Sequence, residues 1–307
     1  MALLIVAPNR DTAAVERYIQ HLAPRLAVRV WPAMGKTDEI DFAVLWKHPP
    51  GLLRELPALR AVSSYGAGVE AILADPDLPP FLPVGRISGP RLAADMAEYV
   101  AAVVIARHRG LWGFYEDRKI KRWAPWAPVA LPAIGLLGVG RMGRAAARVF
   151  RALGYPLHGW SRSGLDLRGV TVHSGGQGLA TIARIADFLI CLLPLTRDTT
   201  GILNADLFAR MKRGAYLINV GRGGHLIESD LIPALDAGQL GGACLDVFAE
   251  EPLPSSHPFW THPKIYLTPH CASYTLPEEA ARLIVKSYRR VRRGLPPLDA
   301  VDRSKGY

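Results

Sequence analysis

Cysteine is scarce in this chain, with three residues in 307, at positions 191, 244 and 271. They stand too far apart for zinc-ligand spacing, and three scattered thiols make no disulfide framework. No metal site is expected. Any run of eighteen apolar residues is also missing, which excludes a membrane-spanning helix of ordinary composition. The opening Met1-Ala-Leu-Leu-Ile-Val6 has neither the basic segment nor the cleavage pattern of a secretory leader and reads as a first strand. A soluble cytoplasmic protein with no membrane partner is the expectation. Acidic residues are outnumbered 27 to 37 by Lys and Arg, giving a formal charge of +10, which draws anions in general. Only residues 118–122 and 289–293 concentrate that charge. Neither cluster comes with a nucleic-acid-binding module, so both read as solvated faces and nucleic acid is not an expected partner. An acidic cofactor and an acidic substrate suit the same charge.

Half of the residues are apolar, enough for a sizeable core, and the length suggests two domains. The 29 glycines and 25 prolines show no repeat period, as in an α/β enzyme with many turns. Apolar runs at Leu3–Ala7, Val28–Trp31, Phe42–Trp46 and Ala61–Ser63 predict strands. Ala13–Leu22 and Leu52–Leu56 predict helical pieces between them. A long helix follows near Arg91–Gly110, with Leu92, Met96, Val100, Val103 and Val104 on one face. Leu111–Leu131, rich in Trp, Pro and charge, reads as irregular covering.

A second α/β series restarts at Ala133. Strands are predicted at Ile134–Leu137, Leu157–Trp160, Phe188–Leu193, Ala215–Val220, Gly242–Asp246 and Ile265–Leu267, and helices at Arg144–Leu153, Leu203–Met211 and Leu231–Ala237. Pro277–Arg293 predicts a basic helix that returns to the first series. Two domains separated by a cleft are therefore expected. One comprises residues 1–98 with 277–307, the other residues 99–276.

Gly138-Val-Gly-Arg-Met-Gly143 lies between a predicted strand and a predicted helix, the setting that gives a GxGxxG pattern its value. Gly138 suits the tight turn, Gly140 the close approach of a pyrophosphate, and Gly143 the packing of helix on strand. The helix N-terminus then offers its amides to phosphate. The next strand ends in Trp160-Ser-Arg-Ser163, with no carboxylate before Asp166 to hold ribose hydroxyls. Arg162 can pair with a 2′-phosphate while Ser161 and Ser163 donate to it, so NADPH is favoured. An arginine stacked on adenine would also serve NADH.

Three further residues carry chemistry. Arg222, flanked by Gly221 and Gly223-Gly224, can grip a carboxylate in two-point fashion. His270, in Thr268-Pro-His270, is one of nine histidines, and Glu251 offers a partner for its ring. An anion beside an imidazole favours the protonated form that can give a proton to a carbonyl oxygen. Cys271 next to His270 does not make a nucleophile pair, since adjacent side chains rarely aim at each other and no oxyanion motif accompanies them. His257 and His262 lack a third metal ligand and read as structural.

The ordered set of motifs resembles the D-isomer-specific 2-hydroxyacid dehydrogenase family over nearly the whole chain. It comprises Phe42-Ala-Val-Leu-Trp-Lys-His-Pro-Pro50, Ser64-Tyr-Gly-Ala-Gly-Val69, Met96-Ala-Glu-Tyr-Val100, the Gly138 fingerprint and Trp160-Ser-Arg-Ser163. It continues through Cys191-Leu-Leu-Pro-Leu-Thr196, Asn219-Val-Gly-Arg-Gly223, Asp246-Val-Phe-Ala-Glu-Glu-Pro-Leu-Pro254 and Thr268-Pro-His270. Within that family the chain is similar to a branch that reduces glyoxylate and hydroxypyruvate. The resemblance implies a Rossmann-type dinucleotide-binding domain and a smaller flavodoxin-like α/β substrate domain. It implies that Arg222 binds the substrate carboxylate and polarises its carbonyl, that Glu251 holds His270, and that His270 is the acid/base. Trp46 is implied in the substrate pocket, and the Tyr65-Gly66-Ala67-Gly68 loop in presenting amides to the carboxylate. Arg141 and Met142 are implied at the pyrophosphate. Leu193, Pro194, Thr196, Val220, Gly221 and His270 are implied beside the cofactor, and Asp246 at the nicotinamide amide. A homodimer using the long helix after residue 90 is implied as well.

Tyr65 departs from the smaller residue frequent at its position and leaves the substrate size open. No regulatory extension follows the last helix, unlike many phosphoglycerate dehydrogenases. The leading expectation is NADPH-dependent reduction of glyoxylate to glycolate and hydroxypyruvate to D-glycerate. The alternatives are an NAD-linked D-2-hydroxyacid or phosphoglycerate dehydrogenase, and a dinucleotide-binding corepressor-like protein acting through partners. The Trp46 loop and the lack of interaction tails argue against the last.

Overall fold

The computed structural model describes residues 1–8, 10–125, 130–162 and 164–307. The chain divides into two compact units, one made of residues 1–92 and 275–307, the other of residues 93–274.

The first unit contains strands β1 (Ala2–Val6), β2 (Ala27–Val30), β3 (Ile40–Leu45), β4 (Ala61–Ser64) and β5 (Val84–Arg86), with helices α1 (Ala13–Leu22) and α2 (Glu70–Leu73). Its sheet runs β2-β1-β3-β4-β5, all parallel. This is the flavodoxin-like order. Every residue of β1 and β3 is buried, as near-continuous apolar runs require when both sheet faces are covered, and the one charged member, Asp41, bonds Arg292 at 3.1 Å. On one face Leu3, Ile5 and Phe42 pack with Val15 and Ile19 of α1 and with Ala281, Ile284 and Val285. The last three lie on a C-terminal helix, Pro277–Arg292, that packs along α1. That helix opens on proline and two glutamates and ends on arginines, a charge order that complements the helix dipole.

The helix Pro90–His108, α3, begins in the first unit and continues into the second, where α4 (Leu111–Lys119) follows it. Strands β6 (Ile134–Leu137), β7 (Leu157–Trp160), β8 (Thr171–His173), β9 (Phe188–Cys191), β10 (Ala215–Asn219), β11 (Leu240–Leu245) and β12 (Ile265–Leu267) form the second sheet. Helices α5 (Arg141–Ala152), α6 (Gly175–Ile185), α7 (Ala205–Arg210) and α8 (Glu228–Asp236) connect them, and the C-terminal helix is α9. The sheet runs β12-β11-β10-β9-β6-β7-β8 and is entirely parallel. It is a Rossmann-type arrangement whose strand order reverses beside β6. Two apolar clusters cover its faces, one including Met96, Val100 and Val104 of α3, the other Leu207, Leu231 and Leu235.

The reading of 111–131 as irregular needs correction, because α4 occupies its first nine residues. Its amphipathic period is faint because most of its side chains face solvent, so there was no apolar stripe to mark. Trp112 anchors it by stacking on Tyr266 with ring centroids 3.9 Å apart. The α6 segment opens on Gly175-Gly-Gln-Gly178 and reads locally as a turn, which hid that helix as well. Among the described residues, no helix is long and apolar enough to cross a membrane.

Candidate active site

Strands β10, β11 and β12 are neighbours, and their ends are level. Asn219 pairs with Leu245, and Leu245 with Leu267. The residues just past those ends are Arg222, the 246–251 loop and His270. Ligands of open parallel sheets gather at such carboxyl ends.

Asp246 organises this corner. It is 1 % exposed. Its Oδ1 accepts the Thr268 hydroxyl at 2.6 Å and the Cys271 N–H at 2.8 Å, and its Oδ2 accepts the Ala272 N–H at 3.0 Å. Its carbonyl accepts the His270 N–H at 2.9 Å. Thr268 Oγ1 also lies 2.5 Å from Tyr99 Oη. The single Thr268 proton goes to the carboxylate, so Tyr99 donates to Thr268. Burial raises the Tyr99 hydroxyl pKa far above its ordinary value and keeps that proton in place. These bonds hold His270 at φ +54°, a left-handed conformation that few non-glycine residues adopt.

His270 Nδ1 stands 2.8 Å from Glu251 Oε2. Glu251 Oε1 accepts the Phe248 N–H at 3.1 Å, which fixes the carboxylate. With Nδ1 donating to Glu251, Nε2 is the nitrogen left for proton transfer. Both side chains are half-buried. The Cys271 thiol is pushed up by desolvation and then by Asp246, which keeps it a thiol and removes it as a nucleophile. His257 and His262 face separate acidic partners, Glu228 at 3.4 Å and Asp236 at 3.2 Å.

The Arg222 turn lies directly on the 246–251 loop. A Cβ at position 223 would overlap the Phe248 carbonyl, so only glycine permits this approach. Buried Asn219 shapes the turn from below. Its Oδ1 accepts the Gly221 N–H at 3.2 Å and its Nδ2 donates to Arg222 O at 3.0 Å. Arg222 Nη1 donates to Gly221 O at 2.7 Å. Arg222, Glu251 and His270 thus rise from adjoining backbone.

The dinucleotide pattern sits at the end of β6. Gly138 adopts φ +101°, and a Cβ on Gly143 would overlap Gly138 O, so helix and turn touch there. Among the described residues, a Cβ at Gly140 would meet nothing within 4 Å, and no side chain caps the N-terminus of α5. Open space above an uncapped helix start fits a phosphate group. Arg141 and Met142 open that helix. Ser161 Oγ accepts the Leu165 N–H at 3.2 Å. Arg162 Nη1 bonds Asp198 at 3.0 Å, and that acidic neighbour was not legible in the sequence pattern. Ser163 lies outside the described residues. Leu193, Pro194 and Thr196 follow β9, and Val220 and Gly221 follow β10. Thr199 Oγ1 donates to Pro194 O at 2.7 Å and braces the first of these loops.

In the first unit, Trp46 follows β3 and lies against Gly66, where an added Cβ would stand 3.1 Å from the indole. The Arg10 guanidinium stacks over Trp46 at 3.8 Å from the ring centroid, a partner the sequence reading missed. Ser64 Oγ donates to Gly68 O at 2.5 Å and accepts the Gly66 N–H at 3.2 Å. Tyr65 is buried in the core of its own unit, and its N–H is taken by Leu45 O at 2.9 Å.

Residues 101–272 match the family model for the NAD-binding domain of D-isomer specific 2-hydroxyacid dehydrogenases. A glyoxylate/hydroxypyruvate reductase A from Yersinia enterocolitica is 38% identical over 296 residues, covering 94% of each chain. A D-isomer specific 2-hydroxyacid dehydrogenase from Xanthobacter autotrophicus Py2, solved with NADPH and MES, superposes with a TM-score of 0.95. It is 36% identical over 100% of this chain and 99% of that one. An NADPH-dependent glyoxylate/hydroxypyruvate reductase from Sinorhizobium meliloti, solved with NADP and sulfate, gives a TM-score of 0.93. It is 35% identical over 100% of both chains.

Proposed function

The chain belongs to the D-isomer specific 2-hydroxyacid dehydrogenase family, and from that premise we propose that it reduces small 2-oxoacids with NADPH. Glyoxylate would give glycolate, and hydroxypyruvate D-glycerate. The observation that carries this reading is the Glu251–His270 pair at 2.8 Å beside the Arg222 turn. It combines a proton donor and a carboxylate-binding cation at one sheet edge. Arg222 grips the 2-oxoacid carboxylate and polarises the adjacent carbonyl. His270, oriented through Nδ1, passes a proton from Nε2 to the carbonyl oxygen and takes it back in the reverse reaction. Bound NADPH supplies the hydride to the carbonyl carbon. Proton and hydride together convert the carbonyl into a secondary or primary alcohol.

The residues proposed to hold the cofactor are Gly138, Gly140, Arg141, Met142 and Gly143 at the pyrophosphate, and Ser161, Arg162 and Ser163 at the 2′-phosphate. Leu193, Pro194, Thr196, Val220, Gly221, Asp246 and His270 are proposed along the remainder. Trp46 and the amides of Ala67 and Gly68 are the first unit's candidates for substrate contact, since the Tyr65 and Gly66 amides are already engaged. Residues 99–276 are assigned the dinucleotide, and residues 1–98 with 277–307 the substrate. We assign a cytoplasmic homodimer. Exposed Leu111, Tyr115, Ile120 and Trp123 around α4 support self-association.

A panel of 2-oxoacids assayed with both cofactors tests the function, with chiral chromatography of the product from hydroxypyruvate. D-glycerate is expected, and L-glycerate or no turnover would refute the reading. Efficiency with NADPH should exceed that with NADH by roughly tenfold, the lower end for a charge-assisted contact at an exposed site. Arg162→Ala should narrow that gap. Equal efficiency in the wild type would remove the 2′-phosphate role.

Hydride transfer to a carbonyl needs protonated His270, and the reverse reaction needs it neutral. Reduction should therefore lose rate as pH rises, while oxidation gains it. Parallel trends in the two directions would exclude His270 as the acid/base.

A further inference from the structure

His225 is fully buried at the end of the single 3-10 turn that follows Arg222. Its ring touches two loops at once. Nδ1 lies 3.0 Å from the Arg222 amide nitrogen, with the N–H pointing at it. Nε2 lies 3.3 Å from the carbonyl oxygen of Pro194, in the loop after β9. Nδ1 is also 3.1 Å from Arg222 O, but that oxygen already accepts the His225 N–H at 3.2 Å and Asn219 Nδ2 at 3.0 Å.

These partners select one tautomer. A proton on Nδ1 would oppose the Arg222 N–H and leave that amide without its acceptor. The bare Nε2 would then face the lone pairs of Pro194 O. A proton on Nε2 satisfies both contacts. The ring also fills the space beside Gly221, where an added Cβ would stand 2.9 Å from Nδ1 and Cε1. Gly221 in turn supplies the carbonyl that receives Arg222 Nη1 at 2.7 Å.

We propose that His225 is a positioning residue that, as the neutral Nε2–H tautomer, locks the Arg222 turn to the Pro194 loop. One imidazole thereby sets the direction of the carboxylate-binding arginine and ties it to a cofactor loop. The assignment rests on the reading of Arg222 and Pro194 given above.

Two substitutions separate the halves of the ring. The Oδ1 of asparagine can stand where Nδ1 stands and accept the Arg222 N–H. The Nε2 of glutamine can stand where the ring Nε2 stands and donate to Pro194 O. His225→Gln should raise KM for the 2-oxoacid about tenfold while leaving the NADPH Kd within about twofold, since it strips the Arg222 amide of its acceptor. His225→Asn should hold KM within about threefold and weaken NADPH by roughly threefold to fivefold, through the lost Pro194 bond. This crossed pattern is one that general destabilisation cannot produce. Equal shifts of KM and Kd in both variants, or no shift in either, would overturn the lock.

An independent measurement uses the wild-type protein. Two-bond nitrogen–proton couplings of ¹⁵N-labelled histidine report which ring nitrogen carries the proton, and the His225 signal is identified by its loss in His225→Asn or His225→Gln, or by proximity to Arg222 and Pro194 should neither variant fold. The Nε2–H form is expected. An Nδ1–H form or an imidazolium at neutral pH would overturn the proposal. Absence of wild-type turnover on every 2-oxoacid would instead sink the functional reading, and the coupling measurement would still decide the tautomer.

Discussion

A His270→Asn variant should lose about 10²–10⁴-fold in kcat for 2-oxoacid reduction, the range for removing a general acid. Asparagine is the informative choice. It tolerates the left-handed backbone that His270 occupies at φ +54°. Its Nδ2 can still donate to Glu251, so the loop keeps its hydrogen bonds and only the Nε2 proton donor disappears. The NADPH Kd, read by nicotinamide fluorescence, should change little. A Glu251→Gln variant should fall in the same direction by a smaller factor, because the imidazole remains but loses its carboxylate. Retention of more than a tenth of wild-type kcat in His270→Asn, with the fold intact by circular dichroism, would remove His270 from the chemistry.

Arg222→Ala should reduce kcat/KM by roughly 30-fold to several thousand-fold, the equivalent of about 2–5 kcal/mol for truncating one partner of a desolvated charge pair. Both parameters should suffer. KM rises because the carboxylate loses its cation, and kcat falls because the carbonyl loses its polarising charge. Arg222→Lys should fall between the two, since an ammonium restores charge but not the two-point fork. The guanidinium is held within its own turn by the Nη1 bond to Gly221 O, and cofactor affinity should stay within about threefold. Near-normal turnover of glyoxylate by the alanine variant would place the carboxylate elsewhere.

The strand–helix alternation was legible residue by residue where burial is one-sided and local. Ala13–Leu22 and Ile265–Leu267 carry their apolar pattern in the chain itself, and their bounds in the structure are the same. α4 and α6 were not legible, one because it buries too little to leave a stripe, the other because its glycines look like a turn. The fold class followed from the pattern. The order of the strands did not, since it depends on which parallel neighbours pair across long connections.

The chemistry of the site divides along the same line. Sequence alone determined the inventory: a glycine pattern between strand and helix, an arginine among glycines, a glutamate, a histidine after proline, and the lack of a carboxylate after Trp160. Each is a local pattern or a single functional group, and needs no knowledge of what lies across the fold. Tertiary structure decided the wiring. The register of Asn219, Leu245 and Leu267 brings three distant loops level. Buried Asp246 then loads the His270 turn, and buried His225 ties Arg222 to Pro194. Neither partnership leaves a trace in spacing. A buried polar group takes whichever donor or acceptor the packed backbone brings within reach, and its desolvation forces it to find one.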